Sequence, residues 1–103
     1  MALISITEFS ELARDVTGNY VPTGCFNEHT VAYEIASLTS SSQLGQVFAS
    51  TTGFLQLNVD DATRFAIGTN PTAEADSTRL PAGAVLIIGV PRGKSYRLAA
   101  RTA

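Results

Sequence analysis

The stretch FLQLNVDDATRFAIG, residues 54–68, decides the fold class of this chain. Its first half alternates apolar and polar side chains, with Leu55 and Leu57 on one face, and this period of two is typical of a strand with one buried face. Its second half repeats the alternation with Phe65 and Ile67. The two aspartates between the halves favour a turn, because short acidic side chains hydrogen-bond the nearby backbone. The stretch therefore predicts two β-strands joined as a hairpin.

Strand patterns continue on both sides of this hairpin. Residues 30–38 alternate in the same way, residues 84–88 (AVLII) form the most apolar run and predict a buried strand, and residues 95–100 alternate again. Strands that recur about every ten residues with Gly and Pro between them indicate an all-β fold, either a small β-sandwich or a jelly-roll-like barrel. We expect its core to contain Val31, Ile35, Leu55, Leu57, Phe65, Ile67, Val85, Ile87, Tyr96 and Leu98.

The first 29 residues differ from the rest because they lack a clean strand pattern. Ser5 and Glu8 fit a helix capping box, and the apolar residues that follow have helical spacing up to Val16. The competing interpretation is an extended arm with a turn at residues 17–19, and both interpretations stay open. The sequence thus divides into an N-terminal arm, residues 1–29, and a β-sandwich domain, residues 30–103.

Composition places the chain among small folded domains but names no activity. The 103 residues are 45% hydrophobic and 16% charged, with a formal net charge of −2, and the usual charged fraction is about 25%. The charge gives no reason to expect nucleic-acid binding. A single cysteine excludes an intrachain disulfide, and no apolar stretch approaches the about 20 residues of a transmembrane helix. We therefore expect no membrane and no nucleic-acid partner.

Motifs that carry chemistry are weak in this sequence. Residues 89–95 (GVPRGKS) are similar to a phosphate-binding loop, but the spacer is one residue short and a strand pattern follows, so they predict a turn. Cys25 and His29 are too few ligands for a structural zinc site. Four cations near the C-terminus, Arg92, Lys94, Arg97 and Arg101, are expected to form a solvated edge. We expect no cofactor, no metal and no enzymatic activity.

Framework residues over nearly the whole chain resemble a known family. They are residues 64–65, 68–73 (GTNPTA), 79–83 (RLPAG) and the glycines of 89–93, together with 1–4, 6–9 and 13–22 near the N-terminus. This pattern resembles a family of small virion proteins of tailed bacteriophages, which includes capsid decoration, or cement, proteins with β-sandwich folds. Two departures from the family stand at residues 86–88, where the family often has aromatic residues, and at residues 25–26, which usually have no counterpart.

The resemblance implies a function that the composition alone does not. It implies a non-enzymatic protein on the capsid surface, made in the cytoplasm of the bacterial host, which binds the major capsid protein and stabilises the shell. A neck or tail accessory protein is the alternative within the virion. A carbohydrate-binding module that uses the polar loop at residues 69–79 is an alternative of another class, and a nucleotide- or metal-dependent enzyme comes last.

Association is expected to involve the N-terminal arm. Its apolar side chains have no strand alternation, and a small sandwich has limited area on which to bury them. We therefore expect an interface with the shell or with neighbouring copies, and a homo-oligomer, with a trimer as the first expectation. The interface residues expected are Leu3, Ile4, Phe9, Leu12, Tyr20, Val21 and Phe26.

Overall fold

The structure is a computed structural model that describes residues 2–24 and 29–103, with the side chains of residues 2–21 and 31–103. These residues form ten β-strands and no helix. The strands are β1 (Ile4–Phe9), β2 (Leu12–Arg14), β3 (Tyr20–Gly24), β4 (His29–Ile35), β5 (Gln43–Leu44), β6 (Phe54–Val59), β7 (Thr63–Gly68), β8 (Thr78–Leu80), β9 (Val85–Gly89) and β10 (Arg97–Thr102).

Two four-stranded antiparallel sheets make up the body of the molecule. The first sheet has the strand order β4-β1-β6-β9, and the second sheet has the order β5-β10-β7-β8. β2 and β3 pair only with each other and form a separate two-stranded hairpin. Because each large sheet has one apolar face, the two faces bury each other and give a β-sandwich. The predicted all-β class and the sandwich architecture are confirmed.

The core lies between the two sheets and draws on both of them. The first sheet contributes Ile4, Ile6, Ile35, Leu55, Leu57 and Val59, and the second sheet contributes Phe65, Leu80, Leu98 and Ala100. Five residues of the predicted core are fully or almost fully buried: Ile35, Leu55, Leu57, Phe65 and Leu98. Ile67 and Tyr96 pack against this cluster while half-buried, whereas the half-buried Val31 lies outside it.

The predicted hairpin over residues 54–68 is wrong, although the bounds of its two strands are right. β6 pairs with β1 and β9, while β7 pairs with β10 and β8, so the two strands belong to opposite sheets. The aspartates between them make the corner. The Asp60 carboxylate accepts hydrogen bonds from the Leu3 and Asp61 amides, both at 2.8 Å. Those bonds, with the Leu3 amide first, hold the pKa of Asp60 below its usual range. Crossing to the other sheet lets the two apolar faces cover each other.

The run at residues 84–88 is not the buried strand that its hydropathy predicts. β9 is an edge strand of the first sheet, and Val85 is 59% exposed. The register places Leu86 and Ile88 opposite Leu57 and Leu55, so these two face the core. Val85 and Ile87 lie on the outer face, and their assignment to the core is wrong. An uninterrupted apolar run has no alternation to show which residues face inward.

β1 corrects both the helix interpretation and the domain division. It lies between β4 and β6 in the first sheet, with Ile4 and Ile6 fully buried and Phe9 1% exposed. The capping-box pattern is therefore coincidental, because strand pairing on both sides outweighs a local helix signal. Residues 4–9 belong to the sandwich, so an arm over residues 1–29 that is separate from a domain over 30–103 is wrong.

A buried carboxylate holds the segment between β5 and β6 in place. Glu8 is 1% exposed, and its Oε1 accepts a hydrogen bond of 2.6 Å from the Thr52 hydroxyl and one of 2.9 Å from the Ala49 amide. Burial, together with the neighbouring Glu8 carboxylate, raises the pKa of the Tyr33 hydroxyl well above its usual range. A buried carboxylate needs such donors to offset its desolvation. Glu8 therefore ties β1 to residues 49–52.

Candidate functional site

The hairpin of β2 and β3 is the part of the molecule that the sandwich does not cover. All seven residues from 14 to 20 are exposed, and β3 approaches the sandwich beside β6 and β9. The overall dimensions of 44 × 27 × 21 Å fit a small sandwich with one projecting element. A two-stranded hairpin is marginal in water by itself. The hydrogen bonds within the hairpin, and the contacts between its base and the sandwich, therefore decide whether the hairpin has one conformation.

The tip of the hairpin is closed by Asp15. One carboxylate oxygen, Oδ1, accepts hydrogen bonds from the Thr17 hydroxyl at 2.7 Å, the Thr17 amide at 2.9 Å and the Asn19 amide at 3.0 Å. Gly18 has a φ of +87°, a conformation that glycine adopts without strain. The Thr17 hydroxyl, followed by the Asn19 amide, lowers the pKa of Asp15. The tip thus has a defined shape, with Val16 fully exposed on it.

The flank of the hairpin carries an aromatic and charged cluster. The Arg14 guanidinium stacks over the Tyr20 ring at 4.2 Å from the ring centroid and donates to the Tyr20 hydroxyl. Glu11 pairs with Arg14 at 3.3 Å and accepts from the Tyr20 hydroxyl at 3.3 Å. A stack of this kind contributes about 0.5–1 kcal/mol at an exposed site, and an exposed ion pair about as much or less. Together they orient Tyr20, which stays 55% exposed.

The base of the hairpin is joined to the turn between β9 and β10. The Arg92 guanidinium donates a hydrogen bond to the Ser10 carbonyl. It also lies over Gly53, where an added methyl group would come within 2.9 Å of Arg92 Nε. The Gly53 amide donates to the Phe9 carbonyl, and the Gly53 carbonyl accepts from the Val90 amide, each at 2.9 Å. The absence of a side chain at Gly53 therefore makes room for the cation that connects the hairpin to the sandwich.

The expected interface residues divide into a buried group and a hairpin group. Ile4 and Phe9 are core residues of their own chain, so their assignment to an interface is wrong. Leu3 is half-buried beside the Asp60 corner. Tyr20 is exposed on the hairpin, and Leu12 and Val21 are half-buried in the same hairpin. Phe26 lies outside the described residues, as does Cys25.

Sequence reasoning missed three residues of the hairpin region, namely Arg14, Val16 and Arg92. The signal for the tip was present, since the turn residues at 15–19 (DVTGN) favour the extended interpretation over a helix. That interpretation places Val16 in a turn rather than on a helix face. No local pattern connects Arg92 to Ser10, because these residues are 82 positions apart in the chain.

The remaining motifs are accounted for by the fold. Residues 89–95 form the end of β9 and a turn, with Gly93 at a φ of +70°, as predicted. In the part of the chain that the structure describes, no three His, Cys, Asp or Glu residues lie together as metal ligands. The described part of the chain also contains no helix that is long and apolar enough to cross a membrane. A shallow depression of about 310 Å³ between β1 and β4 is lined partly by Ser5, Thr7 and Glu34.

Comparison of the chain with protein-family models, with curated proteins and with solved structures finds no match. The functional inference therefore rests on the geometry of the hairpin and the sandwich, on their charged groups, and on the resemblance in the framework residues.

Proposed function

We propose that the protein is a non-enzymatic structural protein of a tailed-bacteriophage virion, which decorates the capsid shell and stabilises it by binding through the β2–β3 hairpin. The observation that carries this proposal is the tip of the hairpin, where a fully exposed Val16 stands on a turn held by three hydrogen bonds to Asp15. The resemblance to virion proteins supplies the kind of partner, which is the major capsid protein.

A preformed hairpin suits binding because ordering a flexible segment on contact would cost affinity. Full burial of an apolar side chain such as Val16 stabilises a contact by roughly 1.5–3 kcal/mol. Tyr20 adds a large ring with a polar end, the type of side chain that is enriched where protein surfaces bind. One hairpin would thus give a modest contact in the absence of further partners.

Many modest contacts become strong on a repeated surface. A shell presents the same site many times, and a homo-oligomer that engages several sites at once gains affinity by effective concentration. The proposal therefore includes a homo-oligomer, with a trimer as the form expected on the capsid surface. It includes no nucleic-acid or membrane partner and no cofactor.

The test measures binding of the purified full chain to undecorated capsids by co-sedimentation. Val16→Ser is expected to weaken binding by about tenfold, the factor that corresponds to about 1.4 kcal/mol. Val47→Ser is the matched control, because Val47 is also exposed, at 49%, but lies outside the hairpin. The control is expected to bind as the unchanged protein does.

Three outcomes would contradict the proposal. Equal binding by Val16→Ser and the unchanged protein would exclude the hairpin tip as the attachment site. Binding to isolated tails or necks, with none to capsids, would support the accessory-protein alternative. Binding to glycans in place of either particle would support a carbohydrate-binding module.

A further inference from the structure

Three arginines stand side by side across the second sheet. In the register of the strands, Arg101 on β10 pairs with Arg64 on β7, and Arg64 pairs with Arg79 on β8. Directly opposite side chains have Cβ atoms about 4.5–5.5 Å apart. We call Arg64, Arg79 and Arg101 the arginine row. Their neighbours Phe65, Leu80 and Ala100 are buried in the core, so alternation places the row on the outer face of the sheet.

The arginine row is not neutralised by direct ion pairs. Of the carboxylates that the structure describes, none lies within 4.0 Å of the three guanidinium groups. Arg64 donates to the Ser77 carbonyl at 2.8 Å, and Arg101 donates to the Thr102 carbonyl at 3.3 Å. Both acceptors are neutral and leave the charge in place. Like charges directly opposite each other on a sheet are destabilising. The row therefore lowers stability. Uncharged polar side chains at the same three positions would keep the surface equally soluble without this cost.

The loop between β7 and β8 contacts the row at Arg64, which donates to the carbonyl of Ser77 at the end of that loop. The Ala73 amide donates to the Ser42 hydroxyl at 2.9 Å, which fastens the loop to the residue before β5. Arg79 is exposed, and Arg64 and Arg101 are half-buried. The loop carries Glu74 and Asp76, both exposed, and the exposed Asp61 precedes Arg64 by three residues. Their carboxylates would compete with a ligand but do not pair with the row.

We propose that the arginine row is a binding site for an acidic segment of a partner protein, whose carboxylates it receives side by side. Arginine forms two parallel hydrogen bonds to a carboxylate, so three arginines in a line suit three carboxylates in a line. Successive turns of a helix are about 5.4 Å apart, close to the about 4.8 Å between strands. A helix with Glu on each turn of one face therefore matches the row.

A protein partner fits better than a nucleic acid. A nucleic acid carries charge along its whole length, and the net charge of −2 repels the part of it that extends beyond the row, whereas a short acidic segment ends with the row. Beside the row on this face lie the half-buried Ala66 and the fully buried Ala99, and neither offers an aromatic surface on which bases could stack. A symmetric contact with a second copy through the same face is also disfavoured, since it would bring one row against the other.

The proposal goes beyond attachment by the hairpin and does not depend on it. The experiment uses the full chain and a labelled helical peptide of about 18 residues with Glu on successive turns of one face. Binding is followed by fluorescence anisotropy at about 50 mM salt, where charge contacts are weakly screened. A peptide of the same composition with its Glu residues spread around the helix is the matched ligand and is expected to bind several times more weakly.

Charge-matched variants separate the row from general attraction. Arg79→Gln is expected to weaken binding by about threefold or more, and Lys94→Gln, an exposed cation in a turn, by less than twofold. The triple variant R64Q/R79Q/R101Q is expected to lose binding. Arg79→Gln alone is expected to unfold at the same or a higher temperature, because it removes repulsion from the row and keeps the hydrogen bond from Arg64 to Ser77. The double variant E74Q/D76N is expected to bind more tightly.

Several results would overturn the proposal. No binding of either peptide by the unchanged protein would do so. Equal weakening by Arg79→Gln and Lys94→Gln would show attraction by net charge in place of a site. A single-stranded oligonucleotide that displaces the peptide and binds more tightly, with the same dependence on the three arginines, would make the row a nucleic-acid site.

Discussion

β1 and β9 lie in the same sheet but differ in how they are buried. β1 has only three large apolar residues, yet Ile4 and Ile6 are fully buried and Phe9 is 1% exposed. β9 has four apolar residues in succession, yet Val85 is 59% exposed and Leu86, Ile87 and Ile88 are half-buried. β1 has a neighbouring strand on each side, whereas β9 is at the edge. Position in the sheet decides burial here, and hydropathy along the strand does not.

The largest expected effect comes from truncating the same side chain in each strand. Ile6→Ala removes a fully buried side chain from β1 and is expected to lower the free energy of unfolding by about 2–5 kcal/mol. Ile87→Ala removes the same atoms from the outer face of β9 and is expected to cost about 1 kcal/mol or less. Urea denaturation of both variants measures the difference. Equal losses would mean that the edge strand is as well covered as the inner one.

The second effect tests the polar contact that β1 makes in the core. Thr52→Val keeps the shape of the side chain but removes the hydroxyl that donates to the buried Glu8 carboxylate. A hydrogen bond to a charged group contributes about 1.5–3 kcal/mol, so a loss of that size is expected. The neighbouring Thr51 is exposed, and Thr51→Val is the control, with an expected change within about 0.5 kcal/mol. If both variants unfold alike in urea, Glu8 does not depend on Thr52.

The strands differ in how well the sequence alone predicts them. Alternation predicts the bounds of β6 and β7, because every second residue of a strand with one buried face is apolar and points inward. β1 alternates as well, but its inward positions include Glu8. The burial of this carboxylate depends on hydrogen bonds from Thr52 and Ala49, which are more than 40 positions away in the chain. For β9 the run without polar residues hides both the inward face and the edge position.

The sequence alone predicts one of the two candidate sites in part and the other not at all. Turn residues at 15–19 point to the tip of the hairpin, so part of that site follows from local chemistry. The arginine row does not follow, because Arg64, Arg79 and Arg101 are separated in the chain and meet only through the pairing of β7 with β8 and β10. Strand order is a property of the whole sheet and cannot be taken from one segment.

A third prediction concerns Tyr33, which faces the core from β4 beside Glu8 in β1. Its pKa is raised by burial and by Glu8, so in the folded state the hydroxyl stays protonated above pH 10, where in the unfolded chain it ionises. Ionisation then favours the unfolded chain. The free energy of unfolding should therefore be unaffected by this group below about pH 10 and should fall above it, by less than the about 1.4 kcal/mol per pH unit of one fully protected group.

Tyr33→Phe removes the ionisable group and tests this expectation. Between about pH 10 and 11.5 the variant should lose stability less steeply than the unchanged protein. Between about pH 7 and 9 both proteins should show the same slope, which is the internal control because the hydroxyl is then protonated in both states. The measurement is a series of urea titrations at fixed salt. Identical alkaline slopes would mean that Tyr33 ionises as readily in the folded protein as in the unfolded chain.

The smallest effect is expected at Val85, the most exposed apolar side chain of β9. Val85→Thr keeps a β-branched side chain of nearly the same shape, and its new hydroxyl remains in water, so stability should change by less than about 0.5 kcal/mol. Val59→Thr in β6 makes the same exchange at a site that is 3% exposed, where an unpaired hydroxyl costs about 1–3 kcal/mol. If Val85→Thr were as costly as Val59→Thr, and more so at higher protein concentration, a second chain must cover β9. The edge strand would then belong to an oligomer interface, because only association links the cost of burying one hydroxyl to concentration.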